Sequence, residues 1–290
     1  LVLAKHYRIP VRIVHCHQNI RVKSKASRLI QWICAGIAKW YATDWWACGR
    51  DAGICLFGKR AMEKGSIHIL NNAIDLAEFD YDANVRKAFR NRYDLEGKIV
   101  VGMVGRFTKQ KNHQKLIQVF QQFHEGCPES VLLLIGEGEC REQIQDQVKR
   151  MGMGDDVILA GASNEVSSFL QAMDLFVLPS IFEGLPIVLI EAQCTGLPCV
   201  VSGSVTDEVD VCGLISFVDL SAPDDEWVKN MMDSISKSGS RTSRRRQLEQ
   251  AGYDIDAEAK KLEEWYVSQG SRICHMEDLR RNHVTAEKAE

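Results

Sequence analysis

The sequence predicts an α/β protein built from two Rossmann-like lobes. From residue 98 onward, short β-branched or leucine-rich runs alternate with one-sided segments of about 10 to 14 residues, as strands and helices do around a parallel sheet. At 290 residues the chain is also longer than the usual single domain of about 100 to 150 residues. It begins with leucine, in what looks like a helix end entering a strand, so we expect the first lobe to be incomplete.

The predicted elements divide at a turn-rich exit near residue 75. The first lobe, 1–75, has predicted strands at 11–16, 46–47 and 67–70 and helices at 27–41 and 53–60. The second lobe, 76–255, has predicted strands at 99–105, 131–135, 157–160, 175–178 and 199–202 and helices at 112–123, 141–151 and 187–194. We expect residues 236–246 to be solvated and 256–290 to form a C-terminal helix and a charged tail.

Composition and charge are those of an ordinary globular protein. A formal net charge of -3 gives no electrostatic case for nucleic-acid binding. The ten cysteines include no C-x-x-C pair, and Cys16, Cys55 and Cys199 sit in apolar stretches, which predicts reduced, buried thiols in a cytosol. No stretch approaches the roughly 20 apolar residues that span a bilayer, and no signal peptide is visible. We therefore expect a cytoplasmic protein that meets a membrane only at its inner face.

The first loop that could carry a functional site is Gly105–Asn112, after the first strand of the second lobe. Gly105 permits a close turn, Asn112 can cap the following helix, and Arg106 and Lys111 add two cations where helix amides already favour anions. A diphosphate would fit such a loop. A solvated loop that happens to be basic is the competing interpretation.

The second loop carries two carboxylates at one strand-to-helix junction. Glu183 lies just before the helix that Pro186 can begin, and Glu191 lies inside an otherwise apolar helix. A carboxylate there is costly to bury unless it is paired or faces a cleft. Either glutamate alone could be structural, on an exposed stripe or near the helix N-terminus. The pair, with Gly184 and Pro186 between them, favours a functional site.

The third loop is the segment 15–19, at the end of a strand in the first lobe. His15 and His17 point to the same side of that strand, so a metal site is conceivable. No third or fourth ligand is evident, and we expect no metal. The alternative is a structural role, in which His17 only makes a hydrogen bond that caps the end of the strand.

The helix predicted at 27–41 has a basic entry and an apolar body. We expect most of its apolar face to be core. A basic entry beside an exposed tryptophan would also suit an anionic membrane surface, where polyprenyl-linked acceptors reside. Peripheral membrane contact through the first lobe is therefore a second interpretation of this helix.

The motifs of the second lobe resemble a known family. Glu183 and Glu191, separated by seven residues, look like the E-x7-E motif of the retaining family 4 glycosyltransferases, which have the GT-B fold. Supporting motifs occur in the family's order and spacing at residues 104–107, 111–113, 134–138 and 172–180. The resemblance covers about residues 11–265 and is greatest to bacterial capsular and exopolysaccharide enzymes, partly through residues 14–19.

The resemblance implies a role for each candidate residue. Arg106 and Lys111 would neutralise a donor diphosphate, Glu191 would bind the ribose hydroxyls and Glu183 the transferred sugar. Amides at Gly184 and Leu185 would hold sugar or phosphate, and His17 would approach the donor sugar from the first lobe. The implied donor-binding set is Gly105, Arg106, Lys111, Gly161, Glu183, Gly184, Leu185 and Glu191, and the implied catalytic set is His17, Arg106, Lys111 and Glu183.

The implied activity is transfer of a sugar from a nucleotide-diphosphate sugar, with a UDP-sugar favoured, to a glycan or polyprenyl-linked acceptor. The resemblance also implies retention of configuration and no cofactor beyond the donor. A nucleotide-sugar-binding module or partner-dependent subunit, without turnover in this truncated chain, is the alternative. A nicotinamide dehydrogenase is disfavoured, because Gly102–Gly105 does not complete a G-x-G-x-x-G fingerprint.

Overall fold

The computed structural model describes residues 1–17 and 25–286, in two compact units. Unit 1 comprises Leu1–Ala73 and Asp254–Glu290, and unit 2 comprises Ile74–Tyr253. Gln18 and Asn19, and the basic residues Arg21 and Lys23, lie outside the described residues. Across the described chain, no helix is long and apolar enough to cross a bilayer.

Unit 1 contains a three-stranded parallel sheet in the order β1-β2-β3. Its elements are α1 (Val2–His6), β1 (Ile13–Cys16), α2 (Lys25–Tyr41), β2 (Asp44–Ala47), α3 (Arg50–Phe57), α4 (Lys59–Glu63) and β3 (His68–Ile69). The single helix predicted at 53–60 is instead two helices. They break at Gly58, whose φ of +94° is incompatible with a continuous helix.

The two faces of this sheet differ in chemistry. One face packs a small apolar core that includes Cys16, Ala47 and Phe57. On the other face, His15, Trp46 and His68 are direct cross-strand neighbours. The C-terminal helix α12 (Ile255–Ala286) packs there through Trp265, whose ring centroid lies 4.9 Å from that of Trp46.

The prediction that the apolar face of α2 is core is wrong. The side chains of Leu29, Ile30, Trp32, Ile33, Ile37 and Trp40 are exposed. A helical repeat of apolar residues marks a face but does not supply a partner for it. The prediction that Cys55 is buried is also wrong. Cys16 and Cys199 are buried, but Cys55 lies on the outer side of α3 and is exposed.

Unit 2 is a six-stranded parallel sheet in the order β6-β5-β4-β7-β8-β9, flanked by helices. Its elements are α5 (Ala83–Arg92), β4 (Ile99–Val104), α6 (His113–Gly126), β5 (Ser130–Ile135), α7 (Arg141–Arg150), β6 (Val157–Gly161), α8 (Val166–Ala172), β7 (Leu175–Leu178), α9 (Ile187–Cys194), β8 (Cys199–Ser202), β9 (Ile215–Val218), α10 (Asp224–Lys237) and α11 (Arg245–Gln250). The five predicted strands all form, within one or two residues of their predicted ends. The edge strand β9 was not predicted.

Residues 236–246 are not simply solvated, because Arg241 is mostly buried among backbone carbonyls. Its guanidinium donates to the carbonyls of Leu170, Gln171 and Met173 at the end of α8, and to the carbonyl and hydroxyl of Thr195 at the end of α9. Burial, followed by the charge of Arg86, lowers the pKa of Arg241 to about 9, so it stays charged at neutral pH. A segment that looks polar in sequence thus ties two helix ends together.

We expect Arg241→Ala to lower the free energy of unfolding by about 3 kcal/mol or more, because it leaves several buried acceptors without donors. Urea denaturation would measure this loss. Arg246→Ala is the matched control. The Arg246 side chain is exposed and makes no hydrogen bond or ion pair to another described residue, so its removal should change stability by less than about 0.5 kcal/mol. Equal effects of the two substitutions would contradict the assignment.

Candidate functional site

The candidate residues of unit 2 lie on loops at the carboxyl edge of its parallel sheet, where ligands bind in open α/β sheets. The loops follow β4, β5, β6 and β7. Because all four strands run in the same direction, their loops emerge at the same edge. The donor-binding residues predicted in unit 2, from Gly105 to Glu191, therefore lie at or next to this edge.

The loops after β4 and β5 are in backbone contact. A Cβ on Gly136 would collide with the carbonyl oxygen of Gly105, and one on Gly138 would collide with that of Phe107. The amide of Phe107 also donates to the carbonyl of Glu137 at 2.9 Å. Only glycine allows this approach, so the two loops form one rigid unit. Gly136 and Gly138 were noticed in the sequence only as part of the family resemblance.

Lys111 and Glu183 form a mostly buried ion pair between the β4 and β7 loops. Lys111 Nζ lies 2.7 Å from Glu183 Oε1, and their side chains are 17% and 9% exposed. Among the described residues that carboxylate oxygen has no hydrogen-bond partner, and the lysine balances its charge through the ion pair. Removing one partner would leave a buried uncompensated charge, which is strongly unfavourable.

Polar side chains beside this pair also connect the two loops. Gln110 Nε2 donates to the carbonyl of Phe182 at 2.9 Å, and the Gln110 carbonyl accepts from the amide of Ile181 at 2.8 Å. The sequence predicted that Asn112 caps α6, but its side chain makes no capping hydrogen bond. It adopts a left-handed conformation with φ of +56°, and its Nδ2 donates to the Pro179 carbonyl at 3.1 Å. The side chain is used to join loops because the carbonyl after β7 lies within its reach.

Arg106 is separate from the Lys111–Glu183 pair. Its side chain is 75% exposed and lies 3.6 Å from Glu139, itself largely exposed. Such a surface pair contributes little to stability, so the guanidinium can change partners at small cost. Gly105 precedes it, and a Cβ there would lie 3.3 Å from Lys111 Cε. Glycine therefore leaves room for the lysine side chain.

Glu191 lies in the second turn of α9, a helix that begins after Pro186. Its neighbours Ile190 and Ala192 are fully buried, and Glu191 is itself mostly buried rather than on an exposed stripe. Burial, and then the negative charge of Glu78, raises the pKa of Glu191 to about 7. Glu78 was missed in the sequence because it is far away in the chain. Gly184 and Leu185 immediately precede the same helix, and Leu185 packs against the core.

Gly161 ends β6 in a left-handed conformation with φ of +74°. Its carbonyl accepts from the Gly136 amide at 2.8 Å, which joins the β6 loop to the β5 loop. A Cβ on Gly161 would lie 3.4 Å from Glu137 Oε1. This close approach is ordinary contact, so the backbone conformation is the stronger reason for glycine here.

His17 belongs to unit 1, just beyond β1. Its Nδ1 lies 3.1 Å from Asn72 Oδ1, and its ring centroid lies 4.0 Å from that of His15. Within the described ranges 1–17 and 25–286, no group of three or more His, Cys, Asp or Glu side chains could hold a metal. The role predicted for His17 toward a sugar stays a prediction.

The raised pKa of Glu191 leads to a pH-dependent stability. The folded pKa of about 7 exceeds the unfolded value of 4.5, so this side chain favours folding at low pH, and that contribution is lost as pH rises from 4.5 through 7. Glu191→Gln cannot ionise. We expect its stability relative to wild type to increase by about 1 to 3 kcal/mol between pH 4 and pH 8, measured by urea denaturation.

The exposed Glu129→Gln serves as the control for loss of a carboxylate as such. A difference between Glu191→Gln and wild type that stays constant across this pH range would contradict the prediction.

Residues 85–211 match the family described as glycosyl transferases group 1, a range that contains every candidate residue of unit 2. Over 254 residues the chain is 34% identical to EpsF of Bacillus subtilis, named as a glycosyltransferase; this covers 85% of the chain and 65% of EpsF. It is 31% identical over 206 residues to the UDP-Gal:alpha-D-GlcNAc-diphosphoundecaprenol alpha-1,3-galactosyltransferase of Escherichia coli, covering 66% of the chain and 51% of that protein. The chain thus spans less than two thirds of either relative.

Among solved structures, HepE of Anabaena in complex with UDP superposes with a TM-score of 0.75. The match has 16% sequence identity and covers 92% of this chain and 74% of HepE. HepE has also been solved with UDP-glucose. A likeness at this identity concerns the fold, and it confirms the predicted GT-B fold.

Proposed function

We propose that this chain, whose residues 85–211 are a glycosyl transferases group 1 domain, transfers a sugar from a UDP-sugar to a glycan or lipid-linked acceptor. The observation that carries the proposal is the buried Lys111–Glu183 pair at the carboxyl edge of the sheet, with Glu191 in the adjoining helix. The complexes of HepE with UDP and UDP-glucose support UDP as the nucleotide. The diphosphoundecaprenol acceptor in the name of the Escherichia coli relative supports a lipid-linked acceptor.

The diphosphate would bind at the loop after β4. Lys111 is held within hydrogen-bond distance of Glu183, so its ammonium is already ordered and can be shared with a phosphate oxygen. Arg106 is bound only to an exposed carboxylate and can turn to the phosphates. The amides that open α9, near Gly184 and Leu185, add partial positive charge.

The two glutamates would divide the rest of the donor between them. Glu183 is ordered by Lys111 and would accept hydrogen bonds from hydroxyls of the transferred sugar. Glu191 would accept hydrogen bonds from the ribose hydroxyls, for which its charged form is the better acceptor. Gly161 and the loop that follows it would contact the base.

In the reaction, the bond between the sugar C1 and the diphosphate oxygen breaks while the acceptor hydroxyl oxygen forms a bond to C1, and the hydroxyl proton passes to the leaving diphosphate. Negative charge develops on the leaving diphosphate, and Lys111 and Arg106 would stabilise it. Preorganised charges in a site that excludes water can contribute roughly 3 to 4 kcal/mol per donor group. We also propose retention of configuration. An α-linked product from UDP-glucose, identified by proton NMR, would support it, and a β-linked product would exclude it.

We expect UDP to raise the melting temperature of the protein more than GDP or ADP does, because a ligand that binds only the folded state stabilises it. Lys111→Ala and Arg106→Ala should each weaken UDP binding by about tenfold or more, whereas Lys109→Ala, an exposed lysine of the same loop, should not. Glu191→Ala should weaken binding of UDP and UDP-glucose alike. Glu183→Ala should mainly reduce the advantage of UDP-glucose over UDP.

Absence of any shift with all three nucleotides would overturn the donor site. A selective shift without release of UDP from UDP-glucose, in the presence of lipid-linked and glycan acceptors, would instead indicate a nucleotide-sugar-binding module or partner-dependent subunit.

We further propose that unit 1 contacts a membrane surface through α2, where a lipid-linked acceptor would be found. The specific observation is the exposure of Trp32 and Trp40, at 74% and 75%, among other exposed apolar residues of the helix. Amphipathic helices with tryptophan and flanking cations bind at lipid interfaces. Lys5 lies 5.4 Å from the Trp40 ring centroid and would supply such a cation.

We expect the protein to sediment with vesicles containing phosphatidylglycerol, less so with pure phosphatidylcholine, and less at high salt. The double substitution Trp32→Ser/Trp40→Ser should reduce sedimentation several-fold by removing apolar area. Tyr266→Ser, an exposed aromatic on α12, is the matched control. Unchanged sedimentation of the double variant, or no sedimentation of the wild type, would exclude the contact.

A further inference from the structure

Within unit 1, His17 has a side-chain partner that sequence inspection did not identify. β1 ends at Cys16 and β3 ends at Ile69, and both run parallel to β2, so the segments after them emerge at the same edge of the small sheet. His17 and Asn72, 55 residues apart in the chain, meet there. Their Nδ1 and Oδ1 atoms lie 3.1 Å apart.

With Oδ1 of Asn72 facing the ring, this contact favours one tautomer of His17. An amide oxygen can only accept a hydrogen bond, so the Nδ1 atom facing it must carry the proton. A neutral imidazole has one N–H, which leaves Nε2 with a lone pair and no hydrogen. No described residue forms a hydrogen bond to Nε2 of His17, and the His17 side chain is exposed.

The ring of His15 packs against that of His17. The two imidazole centroids lie 4.0 Å apart at an interplanar angle of 41°, and His15 is in turn 6.3 Å from Trp46, its cross-strand neighbour. Burial, and then the charge of His17, lowers the pKa of His15 to about 4. His15 is therefore neutral at physiological pH and packs against His17 as an uncharged ring.

We propose that Asn72 is a positioning residue that sets the tautomer and ring orientation of His17, so that Nε2 is presented as a hydrogen-bond acceptor for a sugar hydroxyl. The proposal rests on the proposed function for the identity of the ligand, but the tautomer is a property of unit 1 and can be measured without it. Asn72 itself does not contact the sugar. Its effect reaches the substrate only through His17.

The test is nitrogen-15 NMR of histidine-labelled full chain, which distinguishes the two neutral tautomers by the shifts of the ring nitrogens. The chain has eight histidines, and the His17→Gln spectrum identifies the signals of His17. We compare wild type, Asn72→Ala, which removes the acceptor, and Asn72→Asp, which keeps an acceptor oxygen. Asn91→Ala, an exposed asparagine in unit 2, is the control. UDP and UDP-glucose are the ligand probes.

The expected result is an Nδ1–H tautomer in wild type and Asn72→Asp and a mixture of tautomers in Asn72→Ala. The Nε2 signal of wild type should shift with UDP-glucose but not with UDP, and Asn72→Ala should lose this response. Release of UDP from UDP-glucose should fall about tenfold or more in Asn72→Ala and recover in Asn72→Asp, since misplacement of a positioned group by about 1 Å can cost a hundredfold.

An Nε2–H tautomer in wild type would mean that the amide nitrogen of Asn72 faces the ring, and it would overturn the proposal. So would an unchanged tautomer in Asn72→Ala, whatever the activity. If the tautomer changes as expected but UDP-glucose leaves Nε2 unaffected in every variant, the presentation of Nε2 to the sugar is overturned. Failure of the proposed donor site is detected separately, as the absence of any melting-temperature shift with either probe.

Discussion

The ion pair between Lys111 and Glu183 is the interaction on which the candidate site depends. It joins the loops after two adjacent strands, and both side chains are largely removed from water. Two isolated charges at this depth would be unfavourable, but each is compensated by the other. Before any ligand arrives, the protein therefore holds an ordered cation and an ordered carboxylate at one place. In the proposed function, the cation meets the diphosphate and the carboxylate meets the sugar.

The opposite edge of the same sheet is stabilised by a different cluster. Asp174, just before β7, pairs with Arg86 and with Arg90, and the amide of Val100 donates to it at 2.8 Å. Arg241 adds its hydrogen bonds to the ends of α8 and α9. The guanidinium groups of these three arginines donate to the Asp174 carboxylate or to backbone carbonyls, and these contacts stabilise the fold. In the proposed function, the cations at the carboxyl edge, Lys111 and Arg106, would instead bind the donor diphosphate.

Particular elements show how far sequence reasoning reached. The strand β9 was missed because its four residues include Ser216 and a partly exposed Phe217, so it lacks the continuous apolar run of the central strands. Arg241 was assigned to a solvated segment because its partners lie 46 to 71 residues away in the chain. The side chains of Asn112 and Asn72 contact Pro179 and His17, which parallel strands bring close to them. Local sequence propensity contains no information about such distant partners.

The sequence by itself determined the alternation of strands and helices and the group of polar loops, and it predicted a boundary near residue 75, because these follow from periodicity and turn chemistry along the chain. The motif around Glu183 and Glu191 pointed to the family whose description residues 85–211 match. Only the tertiary structure decided that Glu183 pairs with Lys111, that Glu191 lies near Glu78 with a pKa of about 7, and that α2 exposes its apolar face. Partner choice and burial depend on residues distant in the chain, and a one-dimensional pattern does not contain those distances.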